Sequence, residues 1–144
     1  MMWELTATPC AGLFAGAAIY INLVQHPAAA ALGTSTAVQF FRTMYARAAP
    51  MQAGLAAVGS VAAFGAWWSR GGWLWFVGAV VLGFVIPFTL IAIMPTNSRL
   101  QDPALDPSSA EAGALLARWS ALHAVRSLAG IVSFLIFVVA LLRS

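Results

Sequence analysis

Four long apolar stretches, separated by short polar intervals, set the reading of this chain. They run over about residues 5–24, 50–68, 73–94 and 119–142. Each holds roughly 20 predominantly apolar residues, enough for a helix to cross a ~30 Å hydrocarbon layer. Proline punctuates them. Pro27 is expected to end the first span just after His26, Pro50 to open the second, Pro87 to kink the third and Pro95 to end it. Ser69-Arg70-Gly71-Gly72 reads as a tight turn, flanked by Trp67, Trp68, Trp73 and Trp75 as an interfacial aromatic belt.

Residues 28–49 are too polar to span. The pattern predicts a short interfacial helix there, from about Thr36 to Ala46, with Phe40, Phe41, Met44 and Tyr45 on its apolar face and Arg42 on its wet one. Residues 95–120 carry Asp102, Asp106 and Glu111. Ser108-x-x-Glu111 matches a capping box, so a helix is expected to start there and run unbroken into the fourth span. The predicted fold is an all-α, integral membrane four-helix bundle in one domain, residues 1–144, with a short interfacial helix between the first and second spans. Four spans put both termini on the face of the 69–72 turn and the two longer connections on the other.

Composition supports lipid as the solvent. The chain is 62% hydrophobic and 8% charged, with a mean hydropathy of +0.89. A soluble domain is about a quarter charged, so too few charges remain here to cover a wet surface. Nothing before the first apolar run is basic and Glu4 is acidic, so the first span is expected to be a retained helix rather than a cleaved signal. All seven basic residues are single, scattered Arg, which argues against nucleic acid as a partner. Cys10 is the only cysteine, so no disulfide or CxxC pair forms within the chain. Gly12 and Gly16 form a GxxxG that permits close helix approach, and self-association into a homo-oligomer is left open.

Residues with chemistry in them gather on the face of the long connections. Trp119, His123 and Arg126 fall at i, i+4 and i+7 and share a stripe, continued by the small Gly130 and Ser133. Only 16 residues separate Arg126 from the end of the apolar run, so this stripe is drawn to the membrane edge. An intramembrane Arg usually faces a bundle interior and serves a site; the plainer alternative is an Arg snorkelling to headgroups. His26 stands on a line with Asn22, Ile19, Ala15 and Gly12. His26 and His123 are the only histidines, and both sit at the same depth. Gln52 heads the small stripe Ala56, Gly59, Ala63 and Ala66, while Arg47 and Asn97 close the set at the same level. A polar pocket fed by all four helix ends is the economical arrangement, because buried polar groups need partners. Two histidines without a nearby Cys or helix-borne carboxylate do not make a metal site, so none is expected.

At these residues the chain resembles a family. His26-Pro27-Ala28 after a Gly/Ala-rich span, Arg47-Ala48 before Gln52, Pro95-x-Asn97-x-x-Leu100 and Trp119-x-x-x-His123-x-x-Arg126 are similar to the motifs of the anthrone oxygenase-like family, small four-helix membrane proteins. The resemblance runs over nearly the whole chain. It implies oxidation of a lipophilic anthrone- or phenol-like molecule by molecular oxygen, with no established cofactor. It also implies His26 or His123 as general base, with Arg126, Arg47 and Asn97 holding an oxyanion and Gln52 and Trp119 lining the substrate. The expected partners are the bilayer, a lipophilic small molecule and oxygen.

Two other classes stay open: a non-catalytic membrane subunit or quinone-binding carrier, and a bis-histidine haem bundle. A plain positive-inside count, Arg42, Arg47, Arg99 and Arg118 on the site face against Arg70 and Arg143 on the other, puts the site face in the cytoplasm, but orientation stays open where those Arg serve the site; the expected location is a membrane crossed several times, the cell membrane in a bacterium.

Overall fold

The computed structural model describes residues 1–143. Four helices make the protein: α1 (Met2–Ala31), α2 (Thr34–Arg70), α3 (Trp73–Gln101) and α4 (Ala110–Leu142), each long and apolar enough to cross a membrane. Among the described residues there is no strand. The chain forms an up-and-down bundle in which α1 packs on α2 and α4, and α3 on the same two helices. The architecture is that of a multi-pass membrane protein.

At the Arg70 end the bundle closes on Gly71 and Gly72, both with positive φ (75° and 86°), a backbone region open to glycine at no steric cost. Beside this turn Trp68 and Trp73 are exposed, as a belt requires. Trp75 instead is buried and stacks on Phe137 at 5.3 Å. The core of this half is thin and small-residue-rich. Ala56, Gly59, Ala63 and Ala66 are all buried along α2. Gly130 lets α4 close on Phe14 and the Ala15 backbone, and Ser133 Oγ donates to the Gly78 carbonyl at 3.0 Å. Of the GxxxG pair, Gly12 meets Phe134 while Gly16 faces open space, so only half the motif is used inside the bundle.

All the excess helix length projects at the opposite end, where three expectations need correction. First, the predicted interfacial helix is not separate. Residues 34–49 are helical but continue through Pro50 into the second span. Their apolar face lies on protein: Ala37, Val38 and Phe41 pack with Leu100, Leu105, Ala112, Leu116 and Trp119. Arg42 fastens the segment by donating to the carbonyls of Leu100 and Asp102, both at 2.8 Å. With a partner surface available, the segment has no need of the membrane plane.

Second, Pro27 and Pro95 do not end their helices. Each follows a π-helical turn, Ile21–Gln25 and Thr89–Ile93, in which the residue before proline donates to the carbonyl five positions back: His26 to Ile21, Met94 to Thr89. The wider turn relieves the clash of the proline ring with the carbonyl four residues earlier, and the helix runs on. Third, the cap of α4 is Ser109, whose Oγ accepts from the Ala112 N–H at 3.1 Å. Glu111 is therefore not in a capping box; it pairs with Arg99 at 2.7 Å.

Candidate functional site

The site lies where the membrane-spanning half meets the projecting half. Arg126 stands 16 residues before Leu142 and Gln52 18 before Arg70, or about 24–27 Å of helix from the Arg70 face. That depth is near the far edge of the hydrocarbon layer. His123, Arg126 and Gln52 are buried, as are Asn97 and Trp119.

Two hydrogen-bonded groups form the centre. In one, Arg126 Nη2 donates to Gln52 Oε1 at 2.9 Å, and the guanidinium lies over the Phe14 ring at 5.6 Å. Among the described residues no carboxylate comes within ion-pairing range of Arg126: Glu4 pairs with Arg70 at the other end, and Asp102 and Glu111 pair with Arg99. The Nε–H of Arg126 and the Nε2 of Gln52 are buried without a partner.

In the other group, Asn22 organises His123. Asn22 Nδ2 donates to the Ser120 carbonyl at 3.1 Å, which fixes which way the amide faces. Its Oδ1 is thereby turned to His123 Nδ1 at 2.8 Å and to the Ser127 hydroxyl, which donates to it. An amide oxygen only accepts, so Nδ1 carries a proton, and the lone pair of the imidazole in its neutral form is the one on Nε2.

Above these groups sits an aromatic roof. Trp119 stacks on His123 at 4.7 Å, meets Phe41 edge-on at 5.1 Å and lies 5.4 Å from the His26 ring. Tyr45 stacks on Phe41 and accepts from Asn97 Nδ2 at 3.2 Å, leaving Asn97 Oδ1 buried and free. Tyr45, Gln52, Trp119, His123 and Arg126 line an inner cavity of about 20 Å³, room for about one water-sized molecule.

The structure thus brings His123, Arg126, Gln52 and Trp119 around one cavity, with Asn97 joined to it through Tyr45. His26 touches the roof but is only half-buried and lines a separate small crevice with Phe40 and Met44. Two ring contacts through Trp119 link the histidines, well inside the ~15 Å that groups sharing one substrate allow. A haem ligated by both would have to displace that indole. Arg47 is not among the cluster: it is exposed and lies on an outer groove between α1 and α2. Two residues after Tyr45 on one helix, it is turned about 200° away.

Asn22, Ser127 and Tyr45 are the participants that sequence patterns did not assign. Asn22 was visible on the His26 stripe, and both residues do face α4. Its service to His123 depends on how α1 and α4 are staggered, which no pattern within one helix encodes.

No curated protein and no solved structure matches the chain. The sequence model of the anthrone oxygenase family does, over residues 41–136. That match takes in two-thirds of the chain, from Phe41 in the roof through Gln52 and Asn97 to His123 and Arg126. The chain belongs to the anthrone oxygenase family.

Proposed function

We propose that the protein is a membrane oxygenase that oxidises a lipophilic anthrone- or phenol-like molecule with O2, using His123 as base and Arg126 as oxyanion clamp. The observation that carries this reading is Arg126. A guanidinium held inside the bundle without a carboxylate is costly, about 2.5–3.5 kcal/mol on insertion scales at mid-membrane and less near the interface. Its unpartnered Nε–H and the Gln52 amide beside it are donors awaiting an oxygen. An enolate or phenolate oxygen fits that demand.

The chemistry follows from the tautomer. An anthrone has an acidic benzylic CH2 para to its carbonyl across the central ring. His123 Nε2 takes one of those protons, and the charge spreads to the carbonyl oxygen, where Arg126 and Gln52 hold it. The carbanion gives its electrons to O2 and, with a proton, becomes a hydroperoxide. Loss of water leaves the second carbonyl. One O2 is consumed per substrate: one oxygen atom enters the product, the other leaves as water, and the CH2 is oxidised by four electrons. Asn22 keeps the base in the productive tautomer. His26, further out and with no hydrogen bond to fix its ring among the described residues, belongs to the roof.

The test is oxygen uptake by purified protein with anthrone. One O2 should disappear per anthrone oxidised, and His123→Ala should lower kcat roughly 10²–10⁴-fold, the range for losing a general base. His26→Ala should cost much less. Full activity in His123→Ala would remove His123 from the mechanism. Tight binding of anthrone with no oxygen consumption would make the protein a carrier.

A further inference from the structure

Two grooves open from the bundle toward lipid near the site. The one between α1 and α2 has a volume of about 440 Å³, and the one between α2 and α3 about 260 Å³. Both are mostly apolar. They differ at their inner ends. The α1–α2 groove borders the inner cavity through Ile21, Met44 and Ala48 and carries the exposed Arg47, but Arg126 is not among its lining residues. The α2–α3 groove runs between Pro50 and Ala53 on one wall and Ile86, Thr89 and Leu90 on the other, and ends on Tyr45 and Arg126. Tyr45, Ala49 and Arg126 also border the inner cavity that holds His123 and Gln52. Arg126 is 8% exposed, and its Nε–H has no partner.

We infer that the α2–α3 groove is the substrate's entrance and binding slot, reached sideways from the bilayer, and that it takes a flat, apolar aromatic ketone with its oxygen on Arg126. This rests on the oxygenase reading for the reaction, but not for the binding. The inner cavity is far too small for an aromatic ring system, so a substrate must lie in a groove with only its reacting edge inside. A groove of 260 Å³ is close to the lower end of small-molecule sites, about 300 Å³, and suits a slab-shaped ligand of few atoms. A buried donor set at the end of a mostly apolar slot favours a ligand with its acceptor oxygen at its inner edge, since Thr89 is the one polar side chain along the walls between Pro50, Ala53, Ile86 and Leu90.

The walls also carry breaks in helix hydrogen bonding, as α1 does at Ile21–Gln25 beside the other groove. Pro50 removes one bond from α2, and α3 carries Pro87 and then the π-helical turn Thr89–Ile93. Beside the π-helical turn, Thr89 Oγ1 adds a bond to the Val85 carbonyl at 2.7 Å, which the Thr89 backbone N–H also reaches. Such breaks are tolerated in membrane helices. They let the two walls part without unravelling either helix.

Benzophenone tests the slot without turnover. It is an apolar aromatic ketone that photolabels nearby C–H bonds, with a preference for methionine. Met94 lines the α2–α3 groove and Met51 the other, so label at these two positions reports which groove is occupied, whereas Met44 borders the inner cavity as well. In lipid nanodiscs, peptide mapping should find the label at Met94 and its groove neighbours, competed by anthrone. Ala53→Trp, at a lipid-exposed position on the slot, should cut that label and raise the KM for anthrone about tenfold or more. Ala17→Trp, in the other groove, should change neither. Label mainly at Met51, label insensitive to Ala53→Trp, or label displaced as readily by oleate as by anthrone would overturn the inference. The last of these would make the slot a lipid crevice. If anthrone-competed, Ala53-sensitive label persists in a protein that consumes no oxygen, the binding slot stands and the oxygenase reading falls.

Discussion

Replacing Arg126 by Met separates what the guanidinium does for the reaction from what it does for the fold. The side chain's stem packs in the bundle, and an unbranched Met of similar length keeps much of that packing. Removing the charge relieves an insertion cost of up to about 3 kcal/mol, less at this depth. Against that stand the charge-assisted bond to Gln52, worth about 1.5–3 kcal/mol, and the contact with the Phe14 ring, worth about 0.5–2 kcal/mol. These terms nearly cancel, so Arg126→Met should lie within about 2 kcal/mol of wild type. Most of any loss comes from the orphaned Gln52 side chain, because replacing both members of a buried pair by apolar groups is often neutral or stabilising. Arg126→Met with Gln52→Leu should therefore match or exceed wild-type stability. Catalysis follows another course. Loss of a preorganised oxyanion donor should lower kcat roughly 10²–10³-fold in both variants. Unfolding in detergent, followed by the fluorescence of the six tryptophans, reads the first quantity; oxygen uptake with anthrone reads the second. If Arg126→Met lost more than about 4 kcal/mol and Gln52→Leu restored none of it, Arg126 would be a structural keystone and the argument from its missing counter-ion would fail.

Three further outcomes follow from the geometry. Asn22→Ala removes the acceptor from both His123 and Ser127, and should cost about 2–4 kcal/mol and most of the activity, whereas Asn22→Asp keeps an acceptor and should retain more of both; equal activity in the two variants would show that the tautomer is not held here. Asp102, in the connection outside the membrane, is held below its ordinary range by the Ala104 N–H first and Arg99 second. Its contribution is therefore present above the unfolded value, near ~3.9, and lost as pH falls through the lower folded one. Because the carboxyl is well exposed, Asp102→Asn should lower the unfolding temperature only slightly at pH 7 and not at all by about pH 2; a larger difference in acid would contradict the assignment. Reporters fused at residue 71 and at the C-terminus should show the same sidedness, and opposite signals would defeat the four-span topology.

Within single helices the sequence was informative. The 3.6-residue period put Trp119, His123 and Arg126 on one inward stripe, and Gln52 above Ala56, Gly59, Ala63 and Ala66, because side-chain direction along a helix depends only on residue spacing. The same period, with the helix continuous through Pro50, sets Tyr45 beside Gln52 and Arg47 opposite. Prolines misled the reading of helix ends. Whether a proline stops a helix depends on whether the turn before it can widen, as it does at Ile21–Gln25 and Thr89–Ile93.

Length, apolar composition and the placement of four spans are properties of the chain against its solvent, and the sequence by itself determined them: so few charges leave no alternative to lipid. The partnerships are properties of how separate helices are staggered. That Asn22 serves His123, that Arg126 meets Gln52 rather than an acid, and that residues 34–49 dock on the head of α4 instead of the membrane all depend on interhelical distances that no spacing within one helix specifies. Only the tertiary structure decided them, because a buried polar group takes whichever partner the neighbouring helix brings within hydrogen-bond reach.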